Sequence, residues 1–420
     1  MGKVYFIPRY IGALKYYEKL FPALRERGAD PAFLLLEDGG MRAYSHARHL
    51  SHDARFLEIP LGKIPLVSHI VREKSIFGLF DRFLDEARPA VLVAEPRMGE
   101  RERALFQKAA RKGIAVCALQ WAQIPDISFS DRRSFRGRLL ALRARRGSLL
   151  KGLFYIAYLK LLRMVFSIAD LISGKRDFAE KGSPPGMLGI IDEASRESLA
   201  AQGWEKSRMR IVGSAFFTIA HDLGERVRRE AGFRAKLLAR YGLSTAAKKI
   251  LVLSTPFHRG VHSVFLDDAG QRQYFKNIFE DIRSVFPKEE ADIIFKLHPR
   301  EPDIYADYDS IGIKRFHNES DTDELIALSD LTISHPLTAA NFTIAASGTP
   351  ALFINFTPHE YFNRGSDIYK LKEIIKTRGG FRERLSVFRA GSLALQYEKN
   401  AIDTHSLEKI VAFILDTRGA

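Results

Sequence analysis

The sequence predicts an α/β protein built as two Rossmann-like, doubly wound lobes facing a cleft. Short, nearly continuous apolar runs alternate with helix-length amphipathic stretches, the pattern of parallel strands covered by helices on both faces. The alternation restarts just past the midpoint, after a Gly-containing break at 213–218. The chain has 420 residues, 46% hydrophobic and 11% aromatic. That is enough for two cores in lobes of about 200 residues each, and it excludes a disordered chain. The expected lobes are 1–214, with a basic helical insertion at about 127–168, and 215–420.

In the first lobe, strands are expected at 4–7, 32–36, 56–59, 90–94 and 114–119. A single helical pattern fills the first gap, through Leu14, Tyr17, Leu20 and Leu24, and stops at Gly28. A helix ending near Ala87 precedes the fourth strand, and a charged helix ending at Gly113 follows it. After the insertion come strands at 170–173, 187–191 and 209–212, with a helix at 193–202. In the second lobe, strands are expected at 250–254, 292–297, 313–316, 331–334 and 351–356. Helices fill 271–286, the stretch from Asp321 or Thr322 (as N-cap) to Ser329, and the stretch from Thr338 to Gly348. The last, at Leu407, Ile410, Val411 and Ile414, is amphipathic.

The 65 Lys/Arg against 50 Asp/Glu leave a net charge of +15, which points to nucleic acid, an anionic membrane surface or an anionic substrate. Much of that charge is local. Residues 131–163 hold ten Lys/Arg and one acid, interleaved with Leu, Phe and Tyr. Such a basic amphipathic segment suits an anionic bilayer surface or a solvated helical hairpin, and no nucleic-acid motif accompanies it. The apolar stretch 153–172 contains Lys160, Arg163 and Asp170, so it does not read as a spanning helix. The N-terminal residues read as a strand rather than a leader. One cysteine, Cys117, rules out an internal disulfide and a Cys-based zinc site, and points to a reducing compartment. His46, His49 and His52 lack an accompanying carboxylate or cysteine, so no metal site is expected.

Ligands of doubly wound lobes sit at the carboxyl ends of the strands. Three strand ends in the second lobe carry phosphate-type chemistry. FKLHPRE presents Lys296, His298, Pro299 and Arg300, with Pro299 stopping the ladder. LSTPFHRG presents Thr255, His258 and Arg259. SHPLTAANF presents Ser334 and Thr338 before a helix start whose free amides favour an anion.

This arrangement resembles the nucleotide-sugar lobe of GT-B fold glycosyltransferases. The Lys-x-His-Pro turn with its hydroxyl-bearing loop resembles the bacterial sialyltransferase, Kdo-transferase and CDP-glycerol phosphotransferase group. There the His-Pro turn and the loop contact the donor phosphate, which implies that role for His298, Pro299, Ser334 and Thr338. Residues 250–260 also resemble the equivalent turn of UDP-N-acetylglucosamine 2-epimerases. The paired glutamates of the epimerases are missing between Ser334 and Pro350.

An inverting transferase needs a base on the acceptor hydroxyl. Glu37-Asp38-Gly39 resembles the acidic-acidic-Gly motif of bacterial sialyltransferases, making Glu37 or Asp38 the expected base and His298 the expected partner of the leaving phosphate. Glu95, Gln120, Trp121 and Asp126 are acceptor-side candidates. The resemblance implies metal-independent transfer without a cofactor, from a nucleotide sugar (CMP-linked, such as CMP-Kdo or a CMP-sialic-acid-like sugar) to a lipid-linked or surface-polysaccharide acceptor. The expected location is cytoplasmic, peripheral on the inner membrane face. A 2-epimerase or a CDP-glycerol-type phosphotransferase is the alternative.

Overall fold

The computed structural model describes residues 2–9, 11–36, 54–57, 78–96, 98, 100–121, 186–201, 203–255, 267–298, 301, 304–317, 320–338, 340–357, 360, 363, 370–394, 396–397 and 403–419. The chain divides into two compact units. The first holds Met1–Ala215 and Glu408–Ala420, the second Phe216–Leu407. The break falls one residue beyond the expected 214/215 boundary, and the C-terminal segment packs in the first unit rather than the second. There the Phe413 ring stands against Gly189, and Thr417 hydrogen-bonds Cys117.

Among its described residues the first unit carries seven parallel strands: β1 (Lys3–Ile7), β2 (Asp30–Leu36), β3 (Ala54–Leu57), β4 (Val91–Ala94), β5 (Ala115–Leu119), β6 (Met187–Ile190) and β7 (Met209–Ile211); the strand expected at 170–173 lies outside them. Their order is β3-β2-β1-β4-β5-β6-β7. The chain therefore reverses its winding between β1 and β4. The central strands are short and apolar; β4, VLVA, is buried throughout. Tyr5, Leu34 and Leu92 share one core with Phe80, Phe83 and Phe106 from the helices beside the sheet. The single helix expected after β1 is two, Ile11–Glu18 and Phe21–Glu26. Pro22 explains the break, because it has no amide hydrogen to continue the ladder and its ring crowds the preceding turn.

The second unit carries β8 (Lys248–Leu253), β9 (Ala291–Lys296), β10 (Ile313–Phe316), β11 (Leu331–Ser334) and β12 (Ala351–Phe353). These strands are also all parallel, in the order β10-β9-β8-β11-β12, with the reversal between β8 and β11. Alternate residues of one strand serve opposite cores. Ile250 and Val252 pack with Phe275, Ile278 and Phe279 of the helix Asp268–Val285. Leu251 and Leu253 pack with Leu325, Ile326 and Ile344 on the other face. Burial on both faces is why these strands read as unbroken apolar runs. Asp321 caps the helix Thr322–Leu328, accepting from the Asp323 and Glu324 amides. Each unit is a doubly wound α/β fold of the predicted class.

Candidate functional site

In the second unit the chain leaves β8 and β11 in opposite directions, which opens a space above their carboxyl ends. A shallow depression lies there, lined by Leu253 and Thr255 at the end of β8, Ser334 and His335 at the end of β11, and Tyr274, Phe275 and Ile278 from the following helix. Its walls are mostly apolar. Burial pushes the Tyr274 phenol above its ordinary value, so it stays neutral there.

The segment after β9 is clamped to the end of β8. The His298 amide donates to the Ser254 hydroxyl oxygen at 2.6 Å, and the Ser254 hydroxyl donates to Oε2 of Glu301. The Glu301 amide in turn donates to the His298 carbonyl at 2.9 Å. Gln271 and Tyr305 both donate to Oε1 of Glu301, and the Gln271 amide also meets the Tyr305 oxygen at 2.8 Å. Burial, and next the Glu301 charge, push the Tyr305 phenol far above its ordinary value and keep it a donor. Glu301 was not among the expected site residues. Its signal was present: an acid closing a His-Pro segment at a strand end. Lys296, by contrast, is buried and donates to the His317 carbonyl beyond β10.

The β11 loop is held from within. Ser334 is buried and donates to Oδ1 of Asn341 at 2.7 Å. Asn341 returns its amide to the carbonyls of His335 and Pro336, at 3.1 and 2.8 Å. The hydroxyl of Ser334 is thus engaged in shaping the loop before the helix Ala340–Ser347. Thr338 is half-buried just ahead of that helix, and its carbonyl accepts from the Asn341 amide at 3.2 Å. His335, also missing from the expected set, is the buried side chain of this loop that lines the depression. Its Nδ1 accepts from the Leu337 amide at 3.4 Å, which leaves the ring proton on Nε2.

In the first unit the reversal lies between β1 and β4, and Glu95 follows β4. Glu95 is buried; Oε1 accepts the Arg9 amide at 2.7 Å and Oε2 accepts Nε1 of Trp121 at 3.0 Å. The expected acceptor-side residues therefore divide. Glu95 and Trp121 form one group. Gln120 is buried and bonds Ser195 and the Ile191 amide, both at 3.0 Å, tying β5 to the start of the helix Glu193–Ala200. That is a structural brace.

Glu37, Asp38, Asp126, His258, Arg259, Pro299, Arg300 and the basic segment 131–163 lie outside the described residues. Among the described residues, no group of three His, Cys, Asp or Glu side chains is placed to hold a metal ion. No described helix is long and apolar enough to cross a membrane.

No protein-family model matches the chain, and no curated protein matches its sequence. Solved structures share its fold. The UDP-GlcNAc 2-epimerase from Methanocaldococcus jannaschii aligns with a TM-score of 0.58 at 12% identity, over 99% of both chains. The UDP-GlcNAc 2-epimerase from Neisseria meningitidis, solved bound to UDP-GlcNAc, aligns with a TM-score of 0.59 at 11% identity, over 99% of this chain and 100% of that one. The wall teichoic acid polymerase TagF aligns with a TM-score of 0.58 at 11% identity, over 99% of this chain and 89% of that one. At these identities the similarity establishes the fold, two doubly wound units of the GT-B type.

Proposed function

We propose that the chain is a nucleotide-sugar-dependent glycosyltransferase whose second unit holds the nucleotide at the β8/β11 reversal. One observation carries this reading. The strand-end depression is bordered by Thr255 and His335, and the adjacent strand end presents His298 from a braced segment. Neutral or charged imidazole and hydroxyl donors at strand ends stabilise the charge that develops on a departing phosphate. The phosphate lies over the strand ends, above the depression. On the first unit, Glu95 is the carboxylate that meets the acceptor. Two relatives in fold act on or hold UDP-GlcNAc, which makes a uridine nucleotide a donor equal in standing to the CMP-linked one that the Lys-x-His-Pro resemblance implies.

A 2-epimerase is the second reading, favoured by the full-length match to epimerase structures. Against it, the helix Ala340–Ser347 carries no carboxylate. We further infer, from sequence charge alone, that residues 131–163 dock on an anionic membrane surface near a lipid-linked or polysaccharide acceptor.

Thermal-shift titration with UDP, CDP, CMP and UDP-GlcNAc tests the nucleotide. A ligand at 100 times its Kd stabilises by about 2.7 kcal/mol. No shift with any of the four at millimolar concentration overturns the reading. Incubation with UDP-GlcNAc alone separates the alternatives: a 2-epimeric sugar product identifies the epimerase, and a requirement for an added acceptor identifies the transferase.

A further inference from the structure

We propose that Glu301 is a positioning residue for the donor site: its carboxylate, acting through Ser254, fixes the segment that presents His298. The proposal rests on the nucleotide-sugar reading given above for its consequence, and on geometry for its mechanism.

The geometry is a closed circuit. His298 donates its amide to Ser254, Ser254 donates its hydroxyl to Glu301, and Glu301 donates its own amide back to the His298 carbonyl. Both backbone polar groups of His298 are therefore held, one by a residue 44 positions away. The two ends of the circuit belong to neighbouring parallel strands, β8 and β9, in register from Lys248–Ala291 to Leu253–Lys296. Glu301 is 5% exposed and Gln271 and Tyr305 are fully buried. A buried carboxylate is costly unless donors surround it. Here Ser254, Gln271 and Tyr305 all point hydrogens at it.

A neutral residue of the same shape would suffice to fill this space. A charged acceptor does something more: it orients the Ser254 hydroxyl in one sense only. The His298 amide can only donate, so Ser254 meets it with a lone pair, and Glu301 takes the remaining Ser254 proton and holds the hydroxyl in place between the two. A donor facing Ser254 from position 301 leaves the Ser254 proton without its acceptor and frees the hydroxyl to turn. Charge-assisted bonds of this kind are short and directional, which suits holding a backbone segment to a fraction of an ångström. Positioning at that tolerance is what a group meeting a phosphate needs.

The test uses the full chain with Glu301→Gln, Ser254→Ala, His298→Ala and the pairwise double variants. The first readout is hydrogen exchange at the His298 amide. Glu301→Gln and Ser254→Ala are expected to speed it at least about tenfold while global melting is retained. The second is UDP and CMP affinity by titration calorimetry. Each single variant is expected to weaken binding about tenfold, the loss of roughly one well-placed hydrogen bond to a charged group. In the His298→Ala background, Glu301→Gln is expected to cost nothing further, because its effect passes through His298. Unchanged amide exchange overturns the positioning role. Additive losses in the double variant overturn the route through His298. If the wild type binds no nucleotide, the functional reading fails separately, and the exchange measurement still decides whether Glu301 sets the His298 segment. A carboxylate that only stabilises the fold would lower the melting temperature without moving either readout.

Discussion

The indole of Trp121 donates to Glu95 at 3.0 Å while its six-membered ring stands directly over Gly12. A methyl group on Gly12 would meet the ring at 2.6 Å. This contact fixes the first candidate carboxylate against the helix Ile11–Glu18. Gly12→Ala is expected to displace the indole and cost about 1–3 kcal/mol by overpacking. Trp121→Phe keeps an aromatic side chain but removes the donor and part of the indole's packing, with an expected cost of at least about 1.5–3 kcal/mol for the lost bond to a buried charged group. The protein has two tryptophans, so Trp204→Phe isolates the Trp121 fluorescence. In that background Glu95→Gln should shift the emission, and no shift would refute the contact.

Alkaline pH should destabilise the first unit before it affects ordinary surface groups. Burial pushes the Cys117 thiol from 9.0 up to about 12, opposed by a hydrogen bond from Thr417. Burial likewise pushes Tyr16 from 10.0 up to about 12. For both groups the unfolded chain loses its proton first. Their contribution is fully present below pH 9 and 10 respectively, and is lost as pH rises toward 12. The slope is about 1.4 kcal/mol per pH unit for each group within its own window. Cys117→Ala should remove the part that begins near pH 9, as read from denaturant melts across pH 8–11.

The same burial predicts that Cys117 is inert in the native state. At pH 8 a thiol held near 12 has almost no thiolate, which is the reactive species. Labelling with a disulfide reagent should be negligible in buffer and complete in denaturant. Rapid native labelling would contradict the burial of β5.

Asp281 offers an asymmetric test in the second unit. Its carboxylate is 2% exposed and receives Arg378 at 2.7 and 2.9 Å and Arg382 at 2.9 Å, from arginines that are 40% and 49% exposed. Removing the acid lets two half-exposed cations return to water. Removing both cations strands a buried charge, at an expected cost of about 3–5 kcal/mol. The Arg378→Ala/Arg382→Ala pair should therefore destabilise more than Asp281→Ala in urea unfolding; the reverse order would refute the argument.

Vesicle sedimentation tests the basic segment. Each Lys or Arg near an anionic surface contributes about 1 kcal/mol, so the full chain should sediment with phosphatidylserine vesicles at low salt. Deleting residues 131–163 should abolish this and leave nucleotide affinity intact. Equal sedimentation of both forms would remove the membrane from the proposed function.

Local patterning carried most of the fold. Strands such as Leu331–Ser334 and Val91–Ala94 fall where their apolar runs predict, because burial on both faces leaves a signature within four residues. Loops bearing His298, Ser334 and Thr255 were legible as strand ends for the same reason. The helices Ala215–Arg229, Ala231–Arg240 and Arg378–Arg389 were not expected from the pattern. Their charged, Gly-containing sequences gain stability from tertiary partners that periodicity alone does not rank: Leu237 and Leu238 join the core of Leu325 and Ile326, and Arg378 and Arg382 hold Asp281 of the helix Asp268–Val285.

What the sequence determined by itself was the class of architecture, the strand ends that bear chemistry, and the basic surplus at 131–163. Partner choice was decided only by the tertiary structure. Lys296 and His298 lie two residues apart, yet one is spent on the His317 carbonyl and the other is tied to Ser254. Glu301 is buried among donors from Ser254, at the end of β8, and from the helix Asp268–Val285. Gln120 and Trp121 are adjacent and serve different elements. The reason is physical. Apolar burial is additive along a strand and leaves a local period, whereas a polar side chain takes whichever partner its neighbouring strands bring within hydrogen-bond reach once water is excluded.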